Sequence, residues 1–323
     1  MEFQIGIDLG GTNIKAGLVN SNYEVIDFYS VKTELPRAAD EIADKVSECA
    51  KKLAGKFNIS LSDINSVGVG APGIINPSER VVVLATNLDF KNVPFAKMVE
   101  ERIGISVHIE NDANAAIYGE TLSGAAVGYK NIAMLTLGTG VGGGVIIDSK
   151  IFSGSNYLGA ELGHTSMVYD GLQCLCGLRG CVEMYCSVNA LIGQAREAME
   201  KDRSSSLWNL AGGDVGSVEG KLIFDAAQQG DLLAKQVISR YQSYLGYAVA
   251  NLVNTFQPEI VLIGGAVSAQ GDELLEPVRK FVQKTALGYG IAGLPSSLIK
   301  PALLGNDAGI IGVAFLYNLH NKL

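Results

Sequence analysis

The chain has 323 residues, 48% of them hydrophobic and 18% charged, a composition typical of a globular protein with large cores rather than a disordered one. A formal net charge of −8 and an isoelectric point near 5.0 argue against nucleic acids and anionic membrane surfaces as partners. No apolar run reaches the ~20 residues of a membrane span, and no secretory signal is visible. We therefore expect a cytoplasmic protein, long enough for two domains of ordinary size.

The chain begins with two predicted strands, residues 3–9 and 14–19, joined by a glycine turn. The first strand runs into the motif Asp8-Leu9-Gly10-Gly11-Thr12. The two glycines would let backbone amides and the threonine hydroxyl approach a phosphate, and the aspartate could orient hydrated Mg²⁺. Two glycines alone are weak evidence, because any hairpin can use them. The spacing matches neither a dinucleotide fingerprint nor a Walker loop.

Strand and helix patterns then alternate as far as residue 110. We predict strands over 25–33, 66–70, 81–85 and 106–110, and helices over 36–56 and 93–103. Cys49 shares the apolar stripe of the first helix, which places it in the core. Three strands followed by alternating helices and strands predict a mixed sheet with helices on its faces.

The sequence Glu110-Asn111-Asp112-Ala113-Asn114 lies where a strand ends and a helix begins. Taken alone, Asp112 is read as a helix N-cap, because Asp and Asn satisfy free amides there. The alternative is a carboxylate at a strand end that faces a ligand.

A second strand, turn and strand pattern covers residues 131–148. The turn is predicted over Gly138-Thr139-Gly140-Val141-Gly142-Gly143-Gly144, with the returning strand over 145–148. Because this repeats the opening of the chain, we interpret the pair as an internal repeat. Each of two domains would then carry a phosphate-facing hairpin, with a ligand held between them.

Three cysteines within eight residues predict a metal site. Gly177 and Gly180 lie between Cys176 and Cys181, and His164 lies ten residues before Cys174. Three thiolates and one imidazole form a ligand set of structural zinc, although free cysteines in a loop are the alternative. Five cysteines in the chain, three of them arranged as metal ligands, fit a reducing cytoplasm better than a disulfide framework. Cys186 is expected to be a buried thiol, not a fifth ligand.

The remainder of the chain is mostly helical. Helices are predicted over 187–201, 231–256 and 308–319, the last returning to cover the first domain. A buried strand over 260–263 precedes Gly264 and Gly265. That glycine pair either forms a surface on which a nucleotide base binds or is an ordinary strand-to-helix turn.

These motifs together resemble the ROK family, named for repressors, open reading frames and kinases, from Ile5 to about Leu316. The glycine turns, the 110–114 segment, Glu161-Leu162-Gly163-His164 and the cysteine motif through Glu183 carry the resemblance, which is nearest to bacterial ROK glucokinases. It implies an α/β, actin-like ATPase (ribonuclease H-like) fold with a cleft between two α/β domains. We expect domain limits of 1–117 plus about 306–323, and 118–305. Tyr169, where many members carry proline, is a departure of little expected consequence.

The resemblance also implies ATP, Mg²⁺, structural Zn²⁺ and a homodimer. Asp112 matches the catalytic base. The sugar-hydroxyl ligands are matched by Asn87, Asn111, Asp112, Glu161, His164 and Glu183. The nucleotide-facing positions are matched by Asp8, Gly10, Gly11, Thr12, Gly138, Thr139, Gly140, Gly264 and Gly265. The metal ligands are matched by His164, Cys174, Cys176 and Cys181.

The expected activity is ATP-dependent phosphorylation of a hexose at its 6-hydroxyl, with glucose as the leading substrate. The main alternative is an N-acetylmannosamine or N-acetylglucosamine kinase. A sugar-responsive repressor would need an N-terminal helix-turn-helix of roughly sixty residues, and we expect none because the first strand begins at Phe3. A sugar-binding module without turnover is disfavoured by Asp112 and the two glycine turns.

Overall fold

The computed structural model describes residues 2–291 and 296–320. Its contacts divide the chain into two compact units. Unit 1 comprises Met1–Lys130, Gly144–Ala160 and Leu303–Leu323, and unit 2 comprises Asn131–Gly143 and Glu161–Ala302. The domain limits expected from the sequence stay a prediction, because a division by contacts defines compact units rather than domains.

Unit 1 is built on a five-stranded sheet. Its strands are β1 (Phe3–Leu9), β2 (Asn13–Asn20), β3 (Val25–Lys32), β4 (Ile64–Ala71) and β8 (Val107–Asn111), in the order β3-β2-β1-β4-β8. β2 pairs antiparallel with β1 and β3, whereas β4 runs parallel to β1 and β8. A small antiparallel sheet lies between β4 and β8 in the chain. Its strands are β5 (Ile74–Asn76), β6 (Val81–Ala85) and β7 (Phe90–Val93).

Helices cover this sheet. They are α1 (Ala39–Lys56), α2 (Phe95–Ile103), α3 (Asp112–Ser123), α10 (Ala308–Ala314) and α11 (Tyr317–His320). The apolar stripe of α1 is buried and includes Cys49, as predicted. α10 packs on α3, β1 and β4. A Cβ at Gly6 or Gly68 would lie within 2 Å of a backbone oxygen of α10, so these glycines permit the close contact. The segment 308–319, predicted as a single helix, forms the two helices α10 and α11.

The second five-stranded sheet repeats the order of the first. Its strands are β9 (Ile132–Leu137), β10 (Val141–Ile147), β11 (Lys150–Ile151), β12 (Ile260–Gly264) and β13 (Leu298–Pro301), in the order β11-β10-β9-β12-β13. β12 runs parallel to β9 and β13, and β11 pairs antiparallel with β10. The two hairpins that motivated the interpretation as a repeat therefore occupy matching places.

The predicted turn over 138–144 is shorter than expected. Gly142, Gly143 and Gly144 are strand residues of β10, and at Gly143 and Gly144 neighbouring residues leave no room for a side chain. A Cβ at Gly143 would lie 2.7 Å from atoms of Leu162.

The helices of unit 2 are α4 (Glu183–Cys186), α5 (Val188–Lys201), α6 (Leu207–Leu210), α7 (Gly220–Gln228), α8 (Leu232–Phe256) and α9 (Asp272–Thr285). α8, the longest, buries an apolar stripe that includes Leu233, Tyr241, Leu245 and Val249, and Gly246 lets Phe281 of α9 pack directly against the helix. α7 and α9 were not predicted. None of the helices in the described part of the chain is long and apolar enough to cross a membrane.

Candidate active site

The first glycine turn joins β1 to β2 and is held by backbone bonds and by the Thr33 hydroxyl. The Gly10 amide donates to the Asn13 carbonyl at 2.9 Å, and Thr33 Oγ1 donates to the Gly10 carbonyl at 2.7 Å. Thr12 is exposed. The Asn87 side chain is nearby, because a Cβ at Gly11 would lie 3.7 Å from its Nδ2. The predicted phosphate-facing turn of unit 1 is therefore ordered, with its threonine hydroxyl accessible.

Two carboxylates of unit 1 have raised pKa values beside this turn. Burial and, to a smaller extent, the negative charge of Asp112 raise the pKa of Asp8 to about 6, against the opposing effect of Lys15. Burial also raises the pKa of Asp112, against the hydrogen bond that its carboxylate accepts from the Ala113 amide. Solvent reaches both side chains, so these are recessed groups rather than core groups. A carboxylate with a raised pKa is a better proton acceptor.

Asn111, and not Asp112, is the N-cap of α3. Asn111 Oδ1 accepts from the amides of Ala113 at 2.9 Å and Asn114 at 3.2 Å, and its Nδ2 donates to the Gly73 carbonyl at 3.1 Å. The capping interpretation of Asp112 is therefore wrong. Asp112 is the first residue of the helix, and α3 has its cap without it.

Glu110 stabilises the start of α3, a role that the sequence analysis did not predict. Its side chain is buried, and Oε1 accepts from the Asn111 amide at 2.8 Å and from Asn114 Nδ2 at 3.1 Å. These bonds fix the junction between β8 and α3, from which Asp112 projects. The charge of Glu110 at the end of a buried strand was the only local signal.

The second glycine turn, in unit 2, is held by side chain as well as backbone. The Gly138 amide donates to the Gly140 carbonyl at 3.0 Å, and the Val188 amide donates to the Gly138 carbonyl at 2.8 Å. Glu183 Oε2 accepts from the Val141 amide at 3.0 Å. Thr139 is exposed, as its counterpart Thr12 is in unit 1.

The segment that contains Glu161 and His164 packs on the same turn. A Cβ at Gly163 would lie 2.0 Å from the Val141 carbonyl oxygen, so glycine is required there. Glu161 is exposed and His164 is half-buried. Unit 2 thus brings the predicted ligands Glu161, His164 and Glu183 to the start of β10.

Gly264 and Gly265 follow β12 in unit 2. Gly265 has φ +87°, and a Cβ there would lie 2.2 Å from the carbonyl oxygen of Leu137. This glycine therefore packs against the strand that leads into the second glycine turn. The contact explains why glycine is needed there, and it fits both interpretations of the pair.

Four side chains of unit 2 converge in the geometry of a metal site. His164 Nδ1 lies 3.6 Å from Cys174 Sγ, and Cys176 Sγ lies 3.6 Å from Cys181 Sγ. The ligand atoms of all four lie within 4.8 Å of one another. A tetrahedral zinc ion with Zn–S bonds of ~2.3 Å requires sulfurs about 3.8 Å apart. The residues present therefore fit Zn²⁺.

Glycines shape the loop that carries these cysteines. Gly177 and Gly180 have φ of +96° and +79°, and a Cβ at Gly180 would lie 1.8 Å from the Val168 carbonyl oxygen. Cys186 is fully buried and outside the cluster, as predicted. Its burial raises the pKa of its thiol, which is typical of an inert cysteine.

Comparison with known proteins adds independent evidence. The ROK family model matches residues 4–319. The chain is 36% identical to the glucokinase of Streptomyces coelicolor over 318 residues, 98% of each chain, and 35% identical to that of Thermotoga maritima over 316 residues, 96% of this chain and 95% of that one.

A solved structure agrees with these relatives. The structure is similar to the crystal structure of a ROK family glucokinase from Streptomyces griseus in complex with glucose and AMPPNP. The sequence identity is 36% and the TM-score is 0.81, and the match covers 97% of this chain and 98% of that one. The architecture with its two repeated sheets is accordingly the predicted α/β, actin-like ATPase (ribonuclease H-like) fold. On the family match and these full-length relatives, the chain belongs to the ROK family.

Proposed function

We propose that the chain is an ATP-dependent hexokinase that transfers the γ-phosphoryl group of ATP to the 6-hydroxyl of glucose. The single observation that carries the proposal is the setting of Asp112. It lies one residue after the cap Asn111, it is recessed enough for burial to raise its pKa, and Asp8 and the first glycine turn lie beside it. The glucokinase relatives and the glucose and AMPPNP complex support this choice of substrates.

Asp112 acts as the general base. A sugar hydroxyl is too weak an acid to ionise early, so a carboxylate at hydrogen-bond distance accepts its proton as the new phosphorus–oxygen bond forms. Glu110 and Asn111 position this carboxylate through the bonds that fix the start of α3.

Asp8 would orient the hydrated Mg²⁺ that accompanies ATP. Mg²⁺ prefers oxygen ligands and keeps several of its waters. Mg²⁺ would supply charge neutralisation of the β- and γ-phosphates. The amides and hydroxyls of the glycine turns contact the phosphates. The residues assigned to the nucleotide are Asp8, Gly10, Gly11, Thr12, Gly138, Thr139, Gly140, Gly264 and Gly265.

Carboxylates and amides bind the sugar hydroxyls. Glu161, Glu183, Asn87 and Asn111 have the side chains that form bidentate hydrogen bonds, and a site of this kind rejects analogues that lack a hydroxyl. The side chain of Asn111 also bonds the first amides of α3 and the Gly73 carbonyl, which fixes its position at the start of the helix.

His164, Cys174, Cys176 and Cys181 hold a structural Zn²⁺. Such an ion, when bound, stabilises the loop that ends at Glu183. Because His164 Nδ1 faces Cys174, its Nε2 is the ring nitrogen that is left for a sugar hydroxyl. We also propose a homodimer, on the strength of the family resemblance alone, which light scattering of the purified protein tests.

The test of function is a substrate panel. Purified protein with Mg-ATP is given glucose, mannose, N-acetylglucosamine and N-acetylmannosamine, and ADP release is recorded. Glucose should have the highest kcat/KM. A preference for an N-acetylhexosamine would replace the substrate assignment, and absence of ADP release with every sugar would favour a sugar-sensing protein without turnover.

A further inference from the structure

Glu183 does more in unit 2 than a sugar ligand requires. Its Oε2 accepts from the Val141 amide at 3.0 Å, at the point where the second glycine turn becomes β10. A Cβ at Gly140 would lie 2.3 Å from the same oxygen. The carboxylate is therefore packed against the turn as well as hydrogen-bonded to it.

The other end of the turn is attached to the same stretch of chain. The Gly138 carbonyl accepts from the Val188 amide at 2.8 Å. Ser187, which lies between α4 and α5, caps α5 by accepting from the Ala190 amide at 3.0 Å. The turn is thus held at both ends by the segment 183–188, once by a carboxylate and once by the first amide of a capped helix.

A carboxylate has about four lone-pair directions, so Glu183 can accept further hydrogen bonds besides the one from the Val141 amide. The same side chain has the capacity to accept a sugar hydroxyl while it holds the turn. Any shift of Glu183 on sugar binding would then move the Val141 amide and the glycines before it.

We propose that Glu183 is a positioning residue for the nucleotide turn, and that through it sugar binding and nucleotide binding become energetically coupled. This inference rests on the proposed function, because it assigns the turn to ATP and Glu183 to the sugar. Coupling between two ligands is reciprocal, so each should bind more tightly in the presence of the other.

Nucleotide binding in the absence of sugar separates this role from that of a sugar ligand alone. We would measure AMPPNP binding with Mg²⁺ by calorimetry, without glucose, for the wild type, Glu183→Ala and Glu161→Ala. We expect Glu183→Ala to weaken AMPPNP binding about five- to tenfold, within the range of ordinary coupling. Glu161→Ala is the matched control, since its exposed carboxylate is the other proposed sugar ligand of unit 2, and it should bind AMPPNP like the wild type.

The reverse experiment starts from the turn. Gly140 lies in the turn that we assign to the nucleotide, but an added Cβ there would push the Glu183 carboxylate aside. Glucose binding, measured without nucleotide, should therefore weaken about fivefold in Gly140→Ala. Gly138→Ala is the control, because no heavy atom lies within 4 Å of a Cβ there, and its glucose affinity should match the wild type. Circular dichroism melting of each variant reports whether it is folded.

Equal AMPPNP affinity of the wild type and Glu183→Ala, or equal glucose affinity of the wild type and Gly140→Ala, would overturn the positioning role. Failure of the proposed function has a different appearance, because the wild type itself would then bind neither AMPPNP nor glucose. That result would overturn both proposals together.

Discussion

The turn between β1 and β2 and the turn between β9 and β10 occupy matching places in two sheets of the same strand order. Both carry an exposed threonine between or after glycines. The first is held by its own backbone and by Thr33, with Asp8 and Asp112 beside it. The second is held at its ends by Val188 and Glu183.

The difference shows how one backbone design acquires two roles. In unit 1 backbone bonds and the Thr33 hydroxyl hold the turn, so the neighbouring acids are available for the roles that we propose in magnesium binding and proton transfer. In unit 2 a carboxylate contributes to holding the turn, so that acid cannot move independently of it. The predictions below test this contrast, beginning with the largest expected effect.

Asp112→Asn should lower kcat by about 10²–10⁴-fold, because the amide cannot accept the hydroxyl proton, while glucose affinity measured by calorimetry stays near that of the wild type. Asp63→Asn, at an exposed aspartate of unit 1 outside the site, serves as the control. Unchanged turnover in the Asp112 variant would leave the first turn without its catalytic acid.

Cys176→Ser, or removal of the metal with a chelator, should release zinc, lower the melting temperature and raise the KM for glucose, because the loop before Glu183 loses its anchor. Metal analysis, calorimetry and steady-state kinetics measure the three effects. Cys186→Ala should retain zinc, since that cysteine is outside the cluster. A metal-free protein of equal stability and activity would contradict the assignment.

Gly265→Ala should destabilise the protein by about 2–4 kcal/mol, because it combines a left-handed φ with a Cβ 2.2 Å from the Leu137 carbonyl oxygen. Gly213→Ala is matched, having φ +82° but no atom within 4 Å of the added Cβ, and should cost about 1 kcal/mol. Urea unfolding compares them. Equal losses would mean that contact with β9 contributes nothing.

Asp8→Asn should have the smallest effect and should change the pH dependence of stability. The folded pKa of about 6 lies above the ordinary value of 3.8. Folding therefore loses stability as pH rises from about 4 through 6. Because solvent reaches this side chain, we expect the variant to be more stable than the wild type by only about 1 kcal/mol at pH 7.5 without ligands.

Urea unfolding at pH 4.0 and 7.5 checks this expectation. The two proteins should differ most at pH 7.5 and much less at pH 4.0, which lies close to the ordinary pKa of 3.8 and well below the folded pKa of about 6. A parallel pH dependence of the two proteins would show that Asp8 is ordinarily hydrated.

Local patterns in the sequence determined much of this protein. The apolar strands before Gly10 and Gly138, the stripes of α1 and α8 and the spacing of the three cysteines predicted the repeat, the main helices and the metal cluster. Each depends on residues close together in the chain, where periodicity and backbone freedom act directly.

Only the tertiary structure decided the rest. Asn111 and Asp112 are both good caps by residue type, and the dihedral angles at the end of β8 selected the first. Gly143 and Gly144 lie in β10, where Leu162 and Ile117, which are distant in the sequence, occupy the space that a side chain would need. The bond between Glu183 and Val141 joins residues 42 apart in the sequence, and contacts across that distance depend on packing, which no local pattern specifies.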